Sequence, residues 1–267
     1  MFSVKFGVCG YLKAQNANGQ EFDLLGAVRR AGFDYIEFPL STVAGLSEAE
    51  FGGIKEDLLA SGLPCQACNI MFPRTVRLTG AEVDWVQVRE YLELALGRAG
   101  ELGAKVVVFG SAGARNVPEG FPSAQAWDQL IEMLRIADGI AEKNGITLTI
   151  EPLNRQESNI VNSVAEGYQL VLKVDRPRIQ LLADFYHMSV EKEDPAIIEA
   201  AGAAIRHVHF ADPNGRVYPV RVEENYRRFF AALKRADYQG RVSLEASFSD
   251  FERDASLALS ILRECVN

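Results

Sequence analysis

The chain has 267 residues, 48% of them hydrophobic and 24% charged, with a net charge of −8 and an isoelectric point near 5.1. That balance argues against nucleic acid as a partner, because binding it requires Lys and Arg clustered against phosphate. No apolar run approaches the ~20 residues of a membrane helix, and the N-terminus lacks the order of a signal peptide, so no membrane partner is expected.

In chain order, strand-like runs alternate with stretches of helical period. KFGVCGY (5–11) precedes the amphipathic FDLLGAVRRAG (22–32), and DYIEFPL (34–40) precedes EAEFGGIKEDLLASG (48–62). PCQACNIMF (64–72) is followed by a helix over 83–103, and AKVVVFGS (104–111) by one over 126–145. ITLTIEPL (146–153) leads to a helix over 163–174, RIQLLADF (178–185) to a shorter one over 194–202. IRHVHFA (205–211) and RVSLEAS (241–247) complete the series, with helices over 224–238 and 251–265. Gly32, Gly62, Gly103 and Gly145 stand where a left-handed C-cap ends a helix.

Eight strand-then-helix units predict parallel strands joined by right-handed crossovers. No Gly-rich phosphate fingerprint follows the first strand, so closure into a (β/α)8 TIM barrel is favoured over a doubly wound sheet. No linker, charge block or low-complexity run divides the chain; one TIM-barrel domain over 1–267 is expected.

Four of the strands end on a metal-ligand side chain: Glu151, Asp184, His209 and Glu245. Active sites of such barrels lie at that end. Strand parity places Thr147, Thr149 and Glu151 on one face, Gln180, Leu182 and Asp184 on one face, and Ser243 with Glu245. The opposite parity carries Ile146, Leu148, Ile150, Val242 and Leu244, suited to packing beneath helices. Any one acid alone is more simply a solvated loop residue or a helix cap. Four in register point to a divalent cation, with Mn²⁺, Mg²⁺ or Co²⁺ suiting a carboxylate-rich set and Zn²⁺ left open. His207 shares the face of His209 one layer deeper, so His209 is the better ligand and His207 a core or supporting histidine.

IEPLNRQESNIVNS (150–163), LLADFYHM (181–188), HVHFAD (207–212) and VSLE (242–245) together resemble the xylose isomerase-like sugar phosphate isomerase/epimerase superfamily. NIMFPRTVRLTG (69–80) and VVFGSAGARNVPEGF (107–121) resemble the same group, nearest its D-tagatose 3-epimerase and hydroxypyruvate isomerase branches. The resemblance implies that Glu151, Asp184, His209 and Glu245 bind the metal, with Mn²⁺ foremost. It also makes Glu151 and Glu245 the acid–base pair, and gives Glu157, His187 and Arg216 contacts to substrate hydroxyls. RVYPVRVEENY (216–226) departs from the Pro-Gly-x-Gly run of many relatives, which leaves Arg221 as an alternative to Arg216. By the same resemblance, a homo-oligomer, dimer or tetramer, is expected.

The function expected is isomerisation or epimerisation of a small ketose or hydroxy-keto acid, by proton transfer through a metal-stabilised enediolate, with ketose 3-epimerisation favoured. A dehydratase of a polyol ketone or dehydroshikimate-like compound begins with the same proton abstraction and is the alternative. An AP endonuclease is disfavoured by three histidines and a negative charge, and a non-catalytic sugar-binding module is the last alternative.

Other residues have plainer readings. Cys65 and Cys68 lie three apart, on opposite faces of a regular strand, so buried structural thiols are expected. Four cysteines in all suit a reduced, cytoplasmic protein. Glu37 and Arg115 stand at strand ends, either lining the pocket or, the favoured reading, forming surface salt bridges. Phe6, Tyr11 and Phe72 are either an apolar pocket wall or core. His187 could instead cap the loop after the sixth strand, and Glu157 a short helix.

Overall fold

In the structure, a computed structural model, residues 3–12, 14–15 and 19–266 are described. The strands are β1 (Lys5–Cys9), β2 (Tyr35–Pro39), β3 (Cys65–Asn69), β4 (Val106–Phe109), β5 (Thr147–Ile150), β6 (Ile179–Asp184), β7 (Ile205–Phe210) and β8 (Arg241–Leu244). All pair in parallel with their chain neighbours, and β8 pairs with β1, closing the barrel. The helices are α1 (Leu24–Ala31), α2 (Leu40–Ala44), α3 (Glu48–Ser61), α4 (Trp85–Leu102), α5 (Ala112–Arg115) and α6 (Ser123–Lys143). They continue with α7 (Val164–Val174), α8 (Phe185–Val190), α9 (Ala196–Ala201), α10 (Glu224–Arg235) and α11 (Phe251–Val266).

Local chemistry sets the ends of the long helices. Ser47 and Glu50 form a reciprocal capping box at the start of α3, and Asp84 accepts from the Val86 and Gln87 amides at the start of α4. Gly32, Gly62 and Gly103 cap α1, α3 and α4 in the left-handed conformation. α6 instead ends on Asn144, with the left-handed Gly145 one residue beyond.

Alternation along the strands divides the interior in two. Ile146, Leu148, Ile150, Val242 and Leu244 face outward into the large core between barrel and helices. Tyr35, Ala67, Val106, Val108 and Leu182 form a separate apolar cluster inside the barrel. Tyr35 lies over Gly7 of the neighbouring β1 and reaches Ser243 on β8, because Gly7 has no side chain: a Cβ there would lie 2.3 Å from the tyrosine ring.

Two features escaped the sequence reading. Short helices α2 and α8 follow β2 and β6 directly, and α5 follows β4 after two residues; at four to six residues they are too brief to display a helical period. A bulge shifts the β2–β3 register between Ile36 and Glu37, so that Ile36 pairs with Cys65 and Glu37 with Ala67. The extra residue reverses parity along β3. Contrary to expectation, the buried thiols of Cys65 and Cys68 therefore lie close enough to interact.

Candidate functional site

The C-terminal ends of the eight strands each bring one residue to the same mouth: Cys9, Glu37, Asn69, Gly110, Glu151, Asp184, His209 and Glu245. Ligand atoms of Glu151, Asp184, His209 and Glu245 lie within 4.8 Å of one another. Nδ1 of His209 is 3.0 Å from Oε1 of Glu151 and 3.5 Å from Oε2 of Glu245. Asp184 belongs to this cluster and also caps α8, accepting from the Tyr186 and His187 amides. The cap reading thus holds, and the same side chain keeps an oxygen within reach of the cluster.

The donor set fits a divalent cation. Three carboxylates crowd beside one imidazole, and Arg216 bonds only Glu245 among them, so negative charge stays in excess, an arrangement that is costly away from water. Oxygen donors with one nitrogen suit a hard or borderline ion.

Electrostatics separates the two glutamates. Burial pushes the Glu151 carboxyl up, and its contact with His209 only partly offsets this. Burial would raise Glu245 as well, but His209 and Arg216 bring it down to about 2. Burial disfavours the His209 imidazolium, yet Glu37 and Glu245 hold the ring well above the ordinary imidazole range. The metal-free cluster therefore favours a proton on His209 that a cation must displace. Affinity for Mn²⁺ is expected to weaken as pH falls below neutral, with protons released on binding. Calorimetry in two buffers of different ionisation enthalpy measures that release, and its absence would contradict the protonation described.

Residues named from the resemblance gather around the cluster. Arg216 donates to Oε2 of Glu245 at 2.6 Å and to Oε1 of Glu157 at 3.1 Å, with its guanidinium 4.7 Å from the Tyr186 ring centroid. Its backbone is held at φ +52°, a costly conformation for a non-glycine residue that aims the side chain inward. Arg221 instead lies exposed and pairs with Glu223, so Arg216 occupies the site. Nδ1 of His187 accepts from the Asn154 backbone at 3.2 Å, and its buried Nε2, without a hydrogen-bond partner, lies 3.7 Å from Oδ2 of Asp184. His187 thus tethers the loop after β5 while keeping a ring nitrogen beside the cluster. Glu157 lies in the turn after β5, outside any helix.

Two expectations fail. Glu37 and Arg115 are not surface residues; both are fully buried. Glu37 accepts from Nε2 of His207 at 2.8 Å and Nε2 of His209 at 3.0 Å. Burial alone would raise its carboxyl, but the two imidazoles hold it well below the usual range. Arg115 donates to the Phe109 carbonyl at 3.0 Å, and burial draws its guanidinium down to about 10 against the opposing charge of Glu151. Both partnerships are tertiary, so position at a strand end alone did not reveal them. Asn69 was passed over altogether, yet its Nδ2 donates to Oε1 of Glu245 at 2.8 Å; its only sequence signal is a polar residue closing the third strand.

A cavity of about 720 Å³ opens above this floor, within the range of small-molecule sites. Glu151, Glu157, Arg216 and Glu245 line one side, with Phe72, Phe248 and Phe251 among its apolar walls. Tyr11 also lines it and is 70% exposed, whereas Phe6 is buried in the outer core. Gly110 matters here because it has no side chain: a Cβ would lie 2.0 Å from Oε2 of Glu151. Gly110→Ala should displace that carboxylate and lower kcat by at least tenfold, since ~1 Å of misplacement can cost about 100-fold. Its melting temperature should move by only a few degrees, because a flexible side-chain end can give way. Steady-state kinetics with a thermal melt checks both.

A family model described as xylose isomerase-like TIM barrel matches residues 25–265. The chain belongs to that family. Within it, the chain is similar to a probable ketose 3-epimerase of Synechocystis sp., 29% identical over 93% of this chain and 86% of the relative. It is also similar to the 3-dehydro-D-guloside 4-epimerase of Escherichia coli, 28% identical over 82% of this chain and 84% of the relative. Among solved structures, the D-allulose 3-epimerase from Methylomonas sp. in complex with D-allulose superposes with a TM-score of 0.84. That match covers 99% of this chain and 98% of the other at 22% identity, a likeness of fold.

Proposed function

We propose that this member of the xylose isomerase-like family is a metal-dependent ketose 3-epimerase acting on a small sugar. The observation that carries this reading is the placement of two glutamates from strands three apart around the barrel, both within 3.5 Å of one imidazole nitrogen. Family relatives named ketose 3-epimerases support the choice of reaction.

Glu151, Asp184, His209 and Glu245 would hold the cation. When bound, a divalent ion supplies Lewis-acid polarisation of the substrate carbonyl, which acidifies the neighbouring carbon. Glu151 and Glu245 then share the proton transfers. One carboxylate removes the C3 proton as general base, and the other returns a proton from the opposite face. Inversion at C3 follows. Arg216 fixes the Glu245 carboxylate through one guanidinium nitrogen and Glu157 through another, so substrate hydroxyls meet a pre-set frame. His187 offers Nε2 for a hydroxyl beside Asp184. The apolar upper wall excludes water from the reacting carbon.

Mn²⁺ is the ion we assign, Mg²⁺ and Co²⁺ being compatible with the same donors. We also assign a homo-oligomeric state and a cytoplasmic location, where free thiols remain reduced.

The test is a panel of ketoses and hydroxypyruvate incubated with Mn²⁺-loaded protein in deuterated water. Deuterium entering at C3 together with the C3 epimer is the expected result. A dehydrated product would favour the dehydratase, and binding without exchange a sugar-binding module. Either outcome would overturn the proposal.

A further inference from the structure

We propose that Glu37 is a positioning residue for the metal centre: it holds the Nε2–H of His209 across the barrel lumen and so turns Nδ1 toward Glu151, Asp184 and Glu245. The inference rests on the cation site proposed above and assigns a residue that lies outside its ligand set.

Glu37 is on β2 and His209 on β7, strands that are not neighbours in the ring. Their contact therefore spans the lumen. The carboxylate is fully buried and meets three polar groups. Oε1 faces Nε2 of His209 at 3.0 Å, and Oε2 faces Nε2 of His207 at 2.8 Å. The Ser243 hydroxyl donates to the same Oε2, and Ser243 in turn is 2.7 Å from the Tyr35 hydroxyl. A carboxylate has only acceptors to offer, so each imidazole must present an N–H to it. For His209 this fixes one proton on Nε2, so the proton that a cation displaces is the one on Nδ1, and the lone pair it uncovers faces Glu151, Asp184 and Glu245. A ring held at one nitrogen with the other left free is the arrangement that orients a histidine ligand and raises its basicity.

Shape argues the same way. A buried carboxylate gains little stability over a well-packed apolar residue, whereas the two-residue spacing of His207 and His209 lets a single carboxylate fix both rings. Tyr35, Ser243 and His207 brace Glu37 from below. The histidine is therefore held by a chain of side chains that touch neither the cavity nor the cluster's open side.

The test compares Mn²⁺ affinity by calorimetry in wild type, Glu37→Gln and Glu37→Leu, together with imidazole ¹⁵N spectra of the Mg²⁺-loaded wild type. The chain holds three histidines, so the spectrum is readily assigned. Glu37→Leu should lose roughly 10–100-fold in affinity, with Glu37→Gln, which keeps one acceptor oxygen, falling between. The wild-type spectrum should show His209 protonated at Nε2, with Nδ1 shifted by the ion. A folded Glu37→Leu protein that binds Mn²⁺ within threefold of wild type would overturn the inference while leaving the epimerase reading intact. So would a spectrum with the proton on Nδ1, and this readout decides the matter even where Glu37→Leu does not fold. Wild type that fails to bind Mn²⁺ at all would overturn both.

Discussion

Glu245→Gln is expected to lower kcat by about 10²–10⁴-fold, the usual contribution of a positioned general acid–base group, while the melting temperature changes by only a few degrees. The amide preserves shape, and two neighbours of the carboxylate besides His209 are side-chain donors: Asn69 to Oε1 and Arg216 to Oε2. An amide can accept at one end only, so one donor loses its partner in either orientation. The paired variant Glu151→Gln makes the prediction sharper. Each single variant retains one base, so each should still exchange the C3 proton of one epimer with deuterated water. Neither should invert it. The two variants should label opposite members of the epimer pair, as read by proton NMR of recovered substrate. Wild-type turnover in either variant, or identical labelling in both, would refute the two-base assignment.

Removal of the cation should produce the second large effect, on stability as well as rate. A ligand present at a thousandfold its Kd stabilises the folded state by about 4 kcal/mol. At roughly 2–4 °C per kcal/mol for a chain of this size, chelation should lower the melting temperature by about 10 °C. Turnover should fall to background and return on adding Mn²⁺. A thermal melt with and without chelator, followed by readdition, measures both. The metal-free cluster keeps its proton on His209, so the loss should be smaller at lower pH, where the imidazolium and the carboxylates neutralise one another. Equal melting temperatures and unchanged rates after exhaustive chelation would remove the metal from the account.

What could be read without coordinates was whatever depends on short range. Each strand and the main helix after it are legible by period, the short α2, α5 and α8 excepted, and the four clustered residues stand out because each closes an apolar run. Parity along β5 and β8 was sound for the same reason. The burial of Glu37 is not legible in the sequence because its partners, His207 and His209, lie 170 and 172 positions away, a relation set by closure of the barrel. Cys65 and Cys68 were placed on opposite faces because a bulge is a property of two paired strands. The choice between Arg216 and Arg221 was decided by a left-handed turn at Arg216, which no side-chain pattern announces.

The contribution of one residue from each strand end carries an evolutionary consequence. The floor is built from residues anchored in a closed, edgeless ring, whereas much of the wall, Phe72 and Phe248 among it, belongs to connecting segments outside the strands. On the proposed reading, the residues that move the proton sit in or one position beyond the strands, while most of the apolar wall sits further out in the connections. If the proposed assignment holds, drift in the connections would reshape the wall that meets a sugar while leaving Glu151 and Glu245 where they are.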